Sequence, residues 1–294
     1  MKKLAEKISR VGLIANTEKF SCRAAVQKAA ALIVRSGRAV LTETATAEMA
    51  RLRCAVCPDA ATLARQTDLL VVFGGDGTML RAAREIAGAP TPILGINVGG
   101  LGFLTAVSSQ RLVPALAQVW AGGFTLESRP LIKVTGQVRG HPLLQRALND
   151  FVISRGAGSR LIEIEVSVDG QLLTRYRCDG LIISSPTGST AYSLAAGGAI
   201  VSPEAEVFTL TPICPHTLSN RSVILGLGAT LQVKALSDKP EIVLAADGEM
   251  LGELPRGESV TIVRSRRSVR LVRLDGSSFF QTLGQKLNWS GSNV

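Results

Sequence analysis

Residues 71–80 read VVFGGDGTML, and the fold turns on this stretch. The run from Leu69 to Phe73 is continuously apolar with β-branched Val71 and Val72 within it, as suits a strand buried on both faces near the centre of a parallel sheet. It ends in glycines at Gly74, Gly75 and Gly77, which carry no Cβ and let backbone amides come close to a ligand. MLRAAREIAG follows with helical spacing and stops at Gly88 and Pro90. A helix starting near Thr78 would aim its positive end at the same spot. Yet Asp76 places a negative charge where a phosphate would sit. The loop is not a P-loop, because GxxxxGK[ST] occurs nowhere in the chain, and it does not fit the dinucleotide pattern GxGxxG. One reading makes Asp76 the N-cap of a connecting turn. The other makes it a working carboxylate at the carboxyl end of a strand, where open α/β sheets bind ligands. There it could accept the proton of an attacking hydroxyl or help hold the magnesium ion of a nucleoside triphosphate.

Around this unit the first 122 residues alternate short apolar runs with helix-period segments, the pattern of βαβ units in a Rossmann-like parallel sheet. VGLIA (Val11 to Ala15), AVLTE, LLVVF and PILGIN are predicted strands. CRAAVQKAAALIVRSG, DAATLARQ and SSQRLVPALAQVWAGG are predicted helices, the first with Gly37 at its C-terminus and the second with Asp59 near its start. After Gly122 and Gly123 the spacing changes to period two. TLESRPLIKVTGQV, LLQRALNDFVISR, LIEIEVSVDGQLLTRYRCDGLIISS, SVILGLGATLQVKAL, EIVLAADGEMLGEL, SVTIVRS and SVRLVRL are predicted strands, with VDGQ and ADGE as tight hairpin turns. The expected organisation is an α/β domain over 1–122 and a mostly antiparallel, β-sandwich-like domain over 123–275. The tail 276–294 is expected to pack back on the first domain.

The chain carries 33 Lys plus Arg against 23 Asp plus Glu, a net charge of +10 that concentrates anions nearby. One basic knot (Arg264, Arg266, Arg267, Arg270, Arg273) alternates with Ser and Val and is expected on a solvated strand face. Aromatic residues make up only 4%, which argues against a base-stacking platform for nucleic acid. No apolar run approaches the ~20 residues of a membrane helix, and no secretory leader is recognised. The five scattered cysteines suit a reducing cytoplasm. Cys54 and Cys57 form an isolated CxxC, better read as incidental than as a zinc or redox site. With two histidines in all, a Ser-His-Asp hydrolase starts poorly supported.

Other stretches are ambiguous alone. In DGLIISSPTGSTAYSLAAGG (Asp179 to Gly198) a strand enters a turn and then a short helix from about Ala191; Ser189 and Thr190 offer hydroxyls and Tyr192 a ring. Asn149–Asp150 interrupts the apolar ALNDFVI, as a bulge or as a grip on ribose hydroxyls. Asp247 is explained by a hairpin turn without any ligand. PICPHTLSNRS is expected as a structured loop whose His216, Asn220 and Arg221 are structural or line a site.

Together, VVFGGDGTML, GINVGGLGFL, LNDFVISRG, DGLIISSPTGSTAYSLAAGG, PICPHTLSNR and AADGE resemble the bacterial NAD kinase family, in order and over nearly the whole chain. GGDGT is shared with diacylglycerol and sphingosine kinases, which leaves a lipid kinase or a non-catalytic nucleotide-binding module as alternatives. PTGSTAYSLAAGG and PHTLSNR are more selective. The resemblance implies an active site in the cleft between the two domains and phosphoryl transfer from ATP, with a divalent cation such as Mg2+, to the 2′-hydroxyl of NAD's adenosine ribose. It implies Asp76 as catalytic base and Gly74, Gly75, Gly77 and Thr78 as the phosphate cradle. For NAD it implies Asp76, Gly77, Phe103, Asn149, Asp150, Asp179, Thr190, Ala191, Tyr192 and Asp247, with Asp179 often close to a subunit interface. Many relatives carry Glu where Asp150 stands and a larger residue at Gly100. A homodimer or homotetramer is expected, acting on NAD and ATP with neither nucleic acid nor membrane as partner.

Overall fold

The computed structural model describes residues 1–86, 88–105, 107–156, 158, 160–216, 221–238 and 241–289. The chain divides into two compact units, Met1–Ser128 with Val269–Val294, and Arg129–Ser268. Both crossings fall inside long strands, Phe124–Val138 and Ser259–Leu274, rather than at the Gly122–Gly123 turn and after Asp275.

The first unit is built on parallel strands in the order Ala55–Cys57, Ala39–Glu43, Arg10–Ala15, Leu69–Gly74 and Ile93–Asn97. Leu271 extends this order by pairing with Ile93. The Leu69–Gly74 strand is buried at every position, as its apolar run requires. On one face Leu13, Val71, Phe73 and Ile96 pack with Val26, Ala29 and Ile33 of the Phe20–Arg35 helix and with Leu112, Leu116 and Val119 of the Leu112–Trp120 helix. Because Arg10–Ala15 pairs on one side with the next strand and on the other with Leu69–Gly74, successive connections leave in opposite directions there. That is the crevice in which open α/β sheets bind ligands. Asp59 caps its helix as expected, accepting from Thr62 N at 2.6 Å. The Asp76–Glu85 helix departs from expectation by starting two residues early, with Gly75 rather than Asp76 as N-cap.

The second unit holds two antiparallel sheets. One runs Val223–Gly226, Val207–Ile213, Gly180–Ser184, Asp150–Arg155, Ile242–Ala246, Glu249–Glu253. The other runs Gln171–Cys178, Ile162–Val168, Leu231–Ala235 and onto the start of Ser259–Leu274, with His141–Ala147 paired to Phe124–Val138. Inward residues of both sheets share one core, including Ile164, Val166, Val233 and Val260 from one and Phe151, Leu181, Phe208 and Leu244 from the other. This is a β-sandwich. Both Asp-Gly hairpins form, with positive φ at Asp169 (50°), Gly170 (80°), Asp247 (47°) and Gly248 (84°).

Three expectations need correction. LLQRALNDFVISR is two strands, broken at Leu148–Asn149 and divided between the sheets. SVTIVRS and SVRLVRL are one continuous strand. VFTLTPI, not singled out from the sequence, is a strand and carries Pro212, which was expected in the loop; its pairing with Val223–Gly226 ends at Leu210, so Pro212 is not asked for a hydrogen bond on that side. In the basic knot only Arg273 leaves solvent, buried against Glu127 at 3.0 Å.

Phe208 is among the largest fully buried side chains. Phe208→Ala is expected to cost roughly 3–5 kcal/mol, read from the denaturant midpoint; a loss below ~1 kcal/mol would contradict this packing.

Candidate active site

In the first unit the site is organised by Asp76. Its side chain does not cap its own helix. It reaches the segment after Ile93–Asn97, where Oδ2 accepts from Phe103 N at 2.8 Å and Oδ1 from Leu104 N at 3.1 Å and Thr105 N at 3.2 Å. The Thr105 hydroxyl donates to Oδ1 at 3.2 Å and itself accepts from Asn97 Nδ2 at 2.8 Å, while the other Asn97 amide hydrogen goes to Gly100 O at 2.6 Å. Thr105 is fully buried and Asn97 nearly so. A Cβ on Gly102 would strike both Asp76 Oδ1 and Thr105 Oγ1, so this seat exists only with glycine at 102. Oδ1 has three donors and Oδ2 only one. A carboxylate oxygen takes about two, so Oδ2 keeps a lone pair for a ligand.

The glycines of the loop separate into two kinds. Gly74 is a packing residue, since a Cβ there would meet the Thr78 side chain, and both positions are buried. Gly75 and Gly77 face open space, and neither has a positive φ. Neither packing nor conformation requires glycine there. Their backbones are left open to close approach. Beside them lies a cavity of about 280 Å³ lined by Ala15, Asn16, Thr17, Glu18, Gly77, Thr78 and Arg81. Arg81 is anchored at its edge by Ala15 O (3.1 Å) and Glu43 (3.2 Å).

In the second unit Asn149, Asp150 and Asp247 come together. Asp247 projects from its hairpin and accepts from Leu148 N (2.8 Å), Asn149 N (2.7 Å) and Asp150 N (3.2 Å). These bonds hold the chain where it leaves one sheet for the other. The hairpin residue, ambiguous from its turn alone and implied near NAD by the resemblance, is therefore what fixes the Asn149–Asp150 pair. Ser185 ties the same segment to the PTGST turn, its N–H donating to Asn149 O (2.8 Å) and its hydroxyl to Leu148 O (2.5 Å). Ser189 is structural, bonded to Pro186 O and Val201 N. Thr190 and Ala191 are half-buried and the Tyr192 ring is exposed. Asp179 lies apart, paired with Arg155 at 2.8 Å. Ser184 faces Asp150 and Gly180 faces Ser154, so Asp179 is about 16 Å along the sheet from Asp150. Residues 217–220, with Asn220, lie outside the described residues; His216 N donates to Arg177 O. All five cysteines are free thiols, and burial pushes those of Cys54 and Cys57 up, away from the thiolate.

Sequence reasoning missed Asn97, Gly102 and Thr105. The available signal was NVGGLGFLT itself, a run of small residues following a strand beside GGDGT, of which only Gly100 and Phe103 were singled out.

A parallel α/β unit whose switch-point loop carries a seated carboxylate and two open glycines, joined in one chain to a β-sandwich, defines a nucleotide-handling enzyme of the phosphoryl-transfer type. Known proteins make this specific. The model of the ATP-NAD kinase N-terminal domain matches residues 11–124, and that of the C-terminal domain matches 148–274. The NAD kinase of Moorella thermoacetica is 41% identical over 287 residues, covering 97% of this chain and 91% of that one. That of Symbiobacterium thermophilum is 44% identical over 224 residues, or 76% and 79%. Among solved structures, yeast NADH kinase complexed with NADH superposes with a TM-score of 0.89 at 25% identity, covering 98% of this chain and 89% of that one. An Archaeoglobus fulgidus NAD kinase in complex with ATP gives 0.74 at 25% identity, over 96% and 100%. The chain belongs to the ATP-NAD kinase family. Nothing in these matches favours a lipid kinase.

Asp150 is 4% exposed, and burial together with the neighbouring Asp247 charge pushes its carboxyl up to about 7. A carboxyl raised from 3.8 to about 7 is one whose charged form the fold disfavours, relative to solvent, by about 4 kcal/mol. Its contribution to stability is complete below pH ~4 and is lost as pH rises through ~7. Asp150→Asn is therefore expected to gain stability relative to the unmodified protein between pH 4 and 7, read as diverging denaturant midpoints. Parallel midpoints across that window would exclude the neutral carboxyl.

Proposed function

We propose that this enzyme transfers the terminal phosphoryl group of ATP to the 2′-hydroxyl of NAD's adenosine ribose, yielding NADP. The observation that carries the reading is the Asp76 carboxylate, held by the amides of residues 103–105 with a lone pair left on Oδ2, beside glycines that leave room for phosphates. In this reading the amides of Gly75 and Gly77 and the amino end of the Asp76–Glu85 helix hold phosphate, while Gly74 and Thr78 shape the turn. Asp76 Oδ2 orients the attacking hydroxyl and takes its proton. A ribose hydroxyl is a far weaker acid than a carboxylic acid, so the proton moves late, and positioning and electrostatics supply most of the acceleration. Asn149 and Asp150 bind the dinucleotide, held in place by Asp247. Thr190, Ala191 and Tyr192 line the adenosine, and Phe103 faces the ligand from its own unit.

Among the described residues no cluster of three His, Cys, Asp or Glu side chains is placed to hold a metal. A magnesium ion carried on a triphosphate keeps several waters and takes at most one or two carboxylates, so the triphosphate and water would hold it while Asp76 Oδ2 serves the hydroxyl. When bound, the ion neutralises charge on the transferring phosphates.

Free thiols and the absence, among the described residues, of a helix able to cross a membrane support a cytoplasmic enzyme. A homodimer or homotetramer agrees with Asp179 standing apart from Asp150, where it would serve a nucleotide held by a second copy. A coupled assay for NADP from ATP, NAD and Mg2+ tests the function, and failure to form NADP would overturn it. Asp76→Asn is expected to lower kcat by at least about 100-fold while NAD still binds by calorimetry. Near-normal turnover in that variant would remove Asp76 from the mechanism.

A further inference from the structure

Residues 279–286 lie beyond both stretches matched by the family models. They form a helix, FFQTLGQK, capped by Ser278, whose hydroxyl accepts from Phe280 N at 3.2 Å. Thr282 and Leu283 are buried, so the helix is seated and not loose. From it two side chains converge on one ring of the first unit. Phe279 stacks on Phe103 with centroids 6.2 Å apart and planes tilted by 39°, and Lys286 Nζ lies 5.4 Å from the centre of the same ring. Both separations are in the range where aromatic and cation–π attraction operates. Phe103 is the residue whose backbone N–H donates to Asp76 Oδ2, the oxygen with the spare lone pair.

We propose that Phe279 and Lys286 are positioning residues for catalysis: they clamp the Phe103 ring and so hold the amide that orients Asp76. The inference rests on Asp76 acting as the base in phosphoryl transfer. The physical reason for such a clamp is local. The 98–105 segment contains Gly99, Gly100 and Gly102, and glycines give little resistance to backbone rotation. The Asp76 seat needs three successive amides aligned at once. Phe103 is half-buried, and a ring gripped on two sides removes much of the freedom that the glycines leave. Neither clamping residue touches the Asp76 carboxylate, so the effect passes through Phe103 alone.

The test uses the full chain with Phe279→Ala, Phe279→Leu, Lys286→Met and Lys286→Arg. Phe279→Ala is expected to lower kcat about tenfold, with KM for ATP changed less than about twofold, because Asp76 alignment matters chiefly in the transition state. Phe279→Leu, which keeps an apolar contact, should recover most of the rate. Lys286→Met should fall about threefold, and Lys286→Arg should restore it. Hydrogen exchange of the 97–105 segment gives a readout independent of turnover, and it should quicken about tenfold in Phe279→Ala while protection elsewhere is retained. Unchanged exchange in that segment, or unchanged kcat in Phe279→Ala, overturns the clamp. Loss of protection throughout the first unit would also overturn it, as a merely structural role. If the unmodified protein makes no NADP, the functional reading fails, and exchange alone still decides whether the helix holds the loop.

Discussion

Three consecutive backbone amides, those of Phe103, Leu104 and Thr105, close on the carboxylate of Asp76, and the first unit's chemistry depends on that closure. Asp76 sits in a glycine-rich turn, and its side chain is anchored sideways, in the loop from the neighbouring strand. An added Cβ on Gly75 or Gly77 of the same turn would meet nothing. The parallel pairing of Leu69–Gly74 with Ile93–Asn97 makes the anchoring possible, because it brings the ends of both strands to the same edge.

The second unit repeats the device with a different fold. Asp247 accepts the amides of Leu148, Asn149 and Asp150, again fixing three residues of a loop with one side chain. Here the cost appears on a neighbour, since Asp150 is left buried beside that charge and leans toward its neutral form. A neutral carboxyl donates as well as accepts.

The α/β architecture was legible because its strands are short apolar runs and its helices carry clear period and caps. Asp59 and Gly37 are examples. The sandwich was legible from period two and two Asp-Gly turns. Breaks within strands were not, because the split at Leu148–Asn149 is imposed by Asp247, almost a hundred positions away, and tertiary hydrogen bonding overrides local pattern there. The role of Gly102 was hidden for a similar reason. Its requirement is an absence of volume beside Asp76, and only the packed loop displays it. Asn149–Asp150 was legible as an interruption, whereas the partner that organises it looked like an ordinary turn residue.

The first unit is discontinuous, with the β-sandwich unit inserted between its two segments. During synthesis the chain emerges from its amino end, and domains tend to fold as they appear. Residues 129–268 are therefore complete before Leu271 can join Ile93 or Val272 can enter the first core. The helix that grips Phe103 arrives later still. A nascent or truncated chain thus carries GGDGT and an intact β-sandwich sequence without the helix that contacts Phe103, so that contact is the final one the first unit acquires.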